Sequence, residues 1–133
     1  HVIFAGFTHA PAITLSKNLL RILPGNQTKI FFSDNGSTAV EVALKMALQY
    51  WFNKGQTDKT KIIALKGAYH GDTFGAMSIG AKSGYYEPFK ELLFSVLFVP
   101  YPMTWEGDEE IDKKETHALK TLQDYLHTNG GKI

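Results

Sequence analysis

No cysteine occurs in the 133 residues, so a disulfide framework, a thiolate metal site and a cysteine nucleophile are all excluded. A cytoplasmic protein is the expectation. No apolar run approaches the roughly 20 residues needed to cross a bilayer. Neither sign of charge dominates, since 14 basic and 13 acidic residues leave a net charge of +1. No long-range field therefore favours nucleic acid or an anionic membrane surface. The chain lacks Gly-x-x-x-x-Gly-Lys and Gly-x-Gly-x-x-Gly runs, which disfavours nucleotide loops of those types. Ser37 does not sit in a Gly-x-Ser-x-Gly elbow, which weakens a serine hydrolase. The histidines His1, His9, His70, His117 and His127 never fall into a two-histidine helical ligand spacing, which speaks against a zinc enzyme. Internal repeats, low-complexity tracts and a domain boundary are also missing.

What is present is an ordinary globular balance, 44% apolar and 20% charged, in a chain long enough for one modest core. One stretch organises the rest. Ile30, Phe31 and Phe32 form a short apolar run of the kind buried as a strand in parallel sheets. Ser33-Asp34-Asn35-Gly36-Ser37 is a polar turn whose short side chains suit a helix start, and Gly36 lets another group approach the backbone. From Thr38 to Trp51 strong helix formers predict a long helix, with Ala39, Ala43, Met46, Ala47 and Tyr50 on one stripe and Glu41 four before Lys45. Such a strand, turn and helix aim backbone N–H groups and the positive end of the helix dipole at one spot, an anion site for which phosphate is the usual occupant. A merely structural cap is the alternative, and these residues alone leave both open.

Before that stretch, the opening from His1 to Phe7 reads as extended or loop-like. Thr8 or His9 can cap a helix with Pro11 in its first turn, running through about Ile22 with Ile13, Leu15, Leu19, Leu20 and Ile22 as its apolar face. After it, Lys61 to Lys66 is predicted as a strand. Strand, helix and strand in this order make a right-handed parallel unit, whose ligands bind at the carboxyl edge of the sheet. Tyr69 and His70 follow directly in a glycine-rich segment, Gly67 to Gly80, and leave the sheet on the same edge as Gly36 and Ser37. A packed tyrosine in a glycine-rich turn is the simpler reading of Tyr69, and His70 with Asp72 could form a polarised pair or a structural hydrogen bond. Gly84 to Leu93 reads as a loop with a short helical piece, and Phe94 to Val99 as a third strand. Trp105 to Glu110 reads as an exposed acidic loop. Glu115 to about Thr128 reads as an amphipathic helix with Leu119, Leu122 and Leu126 as core positions, stopped by Asn129-Gly130-Gly131. The chain opens on His1 and stops where Ile133 looks like the first residue of another strand, so an excerpt of a longer protein is expected.

A phosphate cradle with an aromatic group on the same edge suits a cofactor that joins a phosphate to a flat ring, and pyridoxal phosphate (PLP) is such a cofactor. Asp34-Asn-Gly-Ser-Thr-Ala-Val-Glu-Val-Ala-Leu-Lys-Met-Ala-Leu-Gln-Tyr-Trp51, followed by Tyr69-His-Gly-Asp-Thr-Phe-Gly-Ala-Met-Ser78, closely resembles the class III PLP-dependent aminotransferases. Gly6-Phe-Thr-His-Ala-Pro-Ala12 and Thr38 resemble in particular their biotin-biosynthesis branch. The resemblance covers nearly all of the chain to about residue 80 and is weak beyond it. It implies an α/β fold, an open and mainly parallel sheet with flanking helices, with residues 1–133 a single segment of the PLP-binding large domain of a fold-type I enzyme. It also implies that Gly36 and Ser37 bind the cofactor phosphate, that Tyr69 lies beside the cofactor ring and contacts substrate, and that His70 is its neighbour. The Schiff-base lysine and the aspartate of the pyridine nitrogen would lie beyond Ile133, so no lysine here is assigned as catalytic. The implied reaction is ping-pong transfer of an amino group from S-adenosylmethionine to 8-amino-7-oxononanoate, in a homodimer with its sites at the subunit interface. A class III aminotransferase using an omega-amino acid or ornithine-like donor, and a non-catalytic phosphate-binding module, are the competing readings.

Overall fold

The structure is a computed structural model that describes residues 5–80 and 84–133. The expectation of an extended opening thus lies partly outside the described residues. The chain divides into two compact units, His1–Phe32 and Ser33–Ile133.

The first unit carries helix α1 (Ala10–Ile22). His9 caps it as the sequence predicts, its Nδ1 accepting from Ala12 N at 3.3 Å, and Pro11 occupies the first turn, where its missing N–H leaves no helical bond unmade. The buried side is set by Ala12, with Ser16, Leu19 and Leu20 half-buried, whereas Ile13, Leu15 and Ile22 of the expected apolar face are exposed. Leu23 leaves the helix in an extended conformation, just before Pro24. Residues 30–32, predicted as a strand, do not form one, and Phe31 is 63% exposed. An apolar run becomes a strand only where a neighbouring backbone completes its ladder. The sheet among the described residues contains two strands, both in the second unit.

That second unit begins with α2 (Gly36–Asn53), followed by β1 (Ile63–Leu65), the short α3 (Phe74–Ile79), a 3-10 helix (Gly84–Leu92), β2 (Leu97–Val99) and α4 (Ile111–Asn129). Both strands fall inside the predicted runs 61–66 and 94–99. They pair in parallel, Ile63 opposite Leu97 and Leu65 opposite Val99. Parallel neighbours need a long crossover, and α3 with the 3-10 helix supplies it. The parallel unit of the second unit therefore joins β1 to β2, where the sequence suggests one joining residues 30–32 to residues 61–66. α3 packs against both α2 and β1, and the core holds Ala76, fully buried, with Met77, Tyr86 and Val99 also buried. Ser78 ties the layer, donating to Phe74 O at 2.7 Å and accepting from Phe94 N at 3.2 Å.

Three corrections concern the C-terminal third. α4 starts four residues before the predicted Glu115, and its inward face is Ala118, Thr121, Leu122 and Tyr125, with Tyr125 Oη donating to Phe98 O at 3.3 Å. Leu119 is 58% exposed and Leu126 is exposed too, so two of the three expected core leucines face outward. Ile133 is not in a strand, although Lys132 O accepts from Lys61 N at 2.8 Å. The acidic run 105–110 is not simply a solvated loop, because the Asp108 side chain is only 3% exposed. Its Oδ2 accepts from Lys114 Nζ at 2.7 Å, and the same ammonium lies 3.9 Å from the centre of the Trp105 ring. The Lys114 ammonium, then the Glu110 amide, hold the Asp108 carboxyl below its ordinary range against the opposing effect of burial. A group whose folded value is depressed stabilises the fold above its unfolded value, about 3.9, and loses that contribution as pH falls through the folded value. Asp108→Asn is accordingly expected to lower the thermal midpoint at neutral pH, with the gap to the parent narrowing as unfolding is measured at successively lower pH below about 4.

Candidate functional site

The head of α2 determines what the site can bind. Asn35 sits before the helix in an extended conformation and closes a capping box: its Oδ1 accepts from Thr38 N at 3.0 Å, while Thr38 Oγ1 accepts from Asn35 N at 3.2 Å. A helix leaves its first N–H groups without internal acceptors, and this box satisfies the two outer ones. The two between them, on Gly36 and Ser37, have no acceptor among the described residues. The sequence placed the first helical residue at Thr38; the helix begins at Gly36, which puts both site glycine and site serine in the first turn. A Cβ built on Gly36 would meet nothing within 4 Å, so packing within the chain does not demand glycine there and the backbone lies open to a ligand.

The turn that leaves β1 folds onto this helix end. Asp72 N donates to Ser37 Oγ at 3.3 Å, which leaves the serine hydroxyl hydrogen available to another acceptor. Gly71 adopts φ +123°, and a Cβ on it would lie 2.0 Å from Ser37 Oγ and 3.0 Å from Ser37 Cα. Glycine is required here twice over, by conformation and by contact. Tyr69 Oη donates to Asp72 Oδ2 at 2.8 Å, and the ring is 68% exposed. The hydrogen bond to Asp72, then burial, push the Tyr69 phenol above its ordinary value, so the ring presents a neutral, protonated phenol. His70 is half-buried and makes no hydrogen bond among the described residues. The His70–Asp72 pair considered from sequence is not formed, because the nearer claim on the Asp72 carboxylate is the Tyr69 hydroxyl. Ser37, Asp72 and Tyr69 are thus joined by two consecutive hydrogen bonds, and Gly36 is covalent neighbour to the first.

Sequence reasoning missed the role of Glu41. Read as half of a surface pair with Lys45, it turns instead to α3, where its Oε1 accepts from Gly75 N at 2.6 Å and from Ala76 N at 3.1 Å. The Thr73 hydroxyl beside it does most to hold the carboxyl below its ordinary range, although that hydroxyl, buried, falls short of a regular hydrogen bond. The amides of Ala76 and Gly75 and the charge of Lys45 act in the same direction, and burial opposes them. A signal existed: Ser37 and Glu41 stand four apart on one helix face, and Gly71 and Gly75 stand four apart in the segment laid against it. Among the described residues no group of histidine, aspartate and glutamate could hold a metal ion. Gly71→Ala is expected to destabilise the protein by at least about 1–3 kcal/mol, from backbone strain alone, in denaturant unfolding.

The family description "Aminotransferase class-III" matches residues 1–133. The adenosylmethionine-8-amino-7-oxononanoate aminotransferase of Synechococcus elongatus is 60% identical over 126 residues, covering 95% of this chain and 30% of that protein. The chain thus spans about a third of the length of the curated relatives it matches. Among solved structures, the enzyme of the same name from Methanocaldococcus jannaschii superposes with TM-score 0.85 at 34% identity, over all of this chain and 28% of that one. A PLP-bound amine transaminase from an uncultivated Pseudomonas species gives TM-score 0.84 at 26% identity, over 96% of this chain and 30% of that one. The open helix head, the glycine-rich turn laid on it and the match along the whole chain agree: this chain belongs to the class III aminotransferases.

Proposed function

We propose that the protein is a PLP-dependent aminotransferase of biotin biosynthesis that transfers the amino group of S-adenosylmethionine to 8-amino-7-oxononanoate, giving 7,8-diaminononanoate. The observation that carries the cofactor reading is the pair of N–H groups on Gly36 and Ser37 that have no acceptor among the described residues, with the turn of Tyr69 hydrogen-bonded to the same helix end. The donor set fits a phosphate: two amides, one hydroxyl and the positive end of an 18-residue helix, with no side chain where a Cβ on Gly36 would stand. The substrate pair is favoured by the 60% identity to the Synechococcus relative, whose name specifies it. On this reading residues 1–133 are a segment of the PLP-binding large domain of a cytoplasmic homodimer.

Each residue then has a physical task. Gly36 and Ser37 would hold the phosphate through their backbone N–H groups, and Ser37 would add its hydroxyl. Tyr69 would offer its ring face to the flat ring of the cofactor and contact substrate, with Asp72 fixing the phenol by accepting its proton in a hydrogen bond. With its hydroxyl hydrogen engaged by Asp72, Tyr69 would orient and shield the cofactor ring. His70 would flank that ring. When bound, PLP supplies the electron sink on which an amino group is taken from one substrate and passed to another. None of the lysines in the chain is given the covalent role.

The Pseudomonas amine transaminase, which shares the fold at TM-score 0.84, favours one second reading, a class III aminotransferase with an omega-amino acid or ornithine-type donor. Absorption spectroscopy on the full-length protein separates the readings. Bound PLP is expected to give a visible band that S-adenosylmethionine bleaches; bleaching by ornithine or an omega-amino acid alone would move the assignment to the second reading, and no band at all would leave a non-catalytic phosphate-binding module. Ser37→Ala removes a hydrogen bond to a charged group worth about 1.5–3 kcal/mol, so PLP affinity is expected to fall roughly 10- to 150-fold in a binding titration.

A further inference from the structure

α2 meets the segment after β1 through two polar side chains one turn apart on the same helical face. Ser37 Oγ takes the amide of Asp72 at 3.3 Å, and Glu41 Oε1 takes the amides of Gly75 at 2.6 Å and Ala76 at 3.1 Å. At both rungs the opposing residue is glycine: at Gly71 a side chain would be strained and would meet the Ser37 backbone, and at Gly75 it would displace the Glu41 carboxylate. A Cβ on Gly71 would fall 2.0 Å from Ser37 Oγ, and one on Gly75 would fall 2.3 Å from Glu41 Oε2. The rungs differ in strength. The first is one long bond to a neutral hydroxyl; the second is a pair of bonds to a carboxylate, of the charge-assisted kind that is roughly twice as strong. Register of the segment along α2 is therefore set at Glu41 and inherited at Ser37.

We propose that Glu41 is a positioning residue for the phosphate cradle: by fixing residues 71–76 along α2 it holds the Ser37 hydroxyl in place at the helix head. This rests on the cofactor reading of Gly36 and Ser37 given above. Without the carboxylate, the N–H groups of Gly75 and Ala76 lose their acceptor, the segment is retained only by the weaker rung, and Ser37 Oγ loses its fixed orientation. A carboxylate so placed touches neither cofactor nor substrate, so its effect is transmitted through Ser37.

The test compares PLP with pyridoxal, which has the same ring and aldehyde but no phosphate, in equilibrium titrations of the full-length protein. Glu41→Ala is expected to weaken PLP binding about tenfold or more, the equivalent of one hydrogen bond, while pyridoxal binding stays within about twofold of the parent. Glu41→Gln, whose amide oxygen can accept both N–H groups, is expected to recover most of the loss. Gly75→Ala displaces the carboxylate from the other side and should reproduce the phosphate-specific loss, with no further loss when combined with Glu41→Ala. Should Glu41→Ala fail to fold, Gly75→Ala and Glu41→Gln carry the same comparison. Equal losses for PLP and pyridoxal, additive losses in the double variant, or unchanged PLP affinity in a folded Glu41→Ala protein would overturn the proposal. A parent protein that takes up no PLP would instead overturn the cofactor reading on which it rests.

Discussion

A helix begins with N–H groups that its own carbonyls cannot reach, and in α2 the reciprocal bonds between Asn35 and Thr38 satisfy the outer members of that set while leaving Gly36 and Ser37 open. The arrangement stabilises the helix without closing its head. Had the capping side chain turned to the amide of Ser37, the same helix would have been equally well begun and far less able to receive an anion. The rest of the second unit follows from keeping that head accessible on one side and supported on the other.

Support comes from the parallel pair β1 and β2 and from what lies between them. The chain must cross from the end of β1 to the start of β2, and it does so by laying residues 71–76, the turn before α3 and the first residues of α3, against α2. Glycine at 71 and 75 makes this close approach possible. α3 then buries Ala76 and Met77, anchoring the crossover in the core. Tyr69 stands at the start of this path, exposed but tethered to Asp72, the residue whose amide contacts Ser37. One crossover thus performs two tasks, completing the sheet topology and bringing an aromatic ring to the head of α2.

Much of this was legible because it is local chemistry. The polar capping turn before Thr38, a cap at Thr8 or His9, the two observed strands and the shared placement of Gly36, Ser37 and Tyr69 all follow from residue types and short spacings. What was not legible depends on partners distant in sequence. Ile30 to Phe32 has the composition of a buried strand, yet composition does not supply the neighbouring backbone that a ladder needs. Leu119 and Leu126 look like core on a helical wheel, but the face of α4 that turns inward is chosen by Ala118, small enough for close packing, and by the Tyr125 bond to Phe98. Glu41 showed an i, i+4 partner in Lys45 and its stronger partners, 34 and 35 residues away, left no local trace beyond the matched spacing of two glycines.

The central claim is that the open amides of Gly36 and Ser37 hold the phosphate of a ring-bearing cofactor. A crystal structure of the full-length protein grown with PLP tests it most directly. Phosphate oxygens within about 3.2 Å of both amide nitrogens, with the Ser37 hydroxyl donating to the same group and the Tyr69 ring beside the pyridine, are the expected result. A cofactor phosphate held elsewhere, with water on those two amides, would contradict the account.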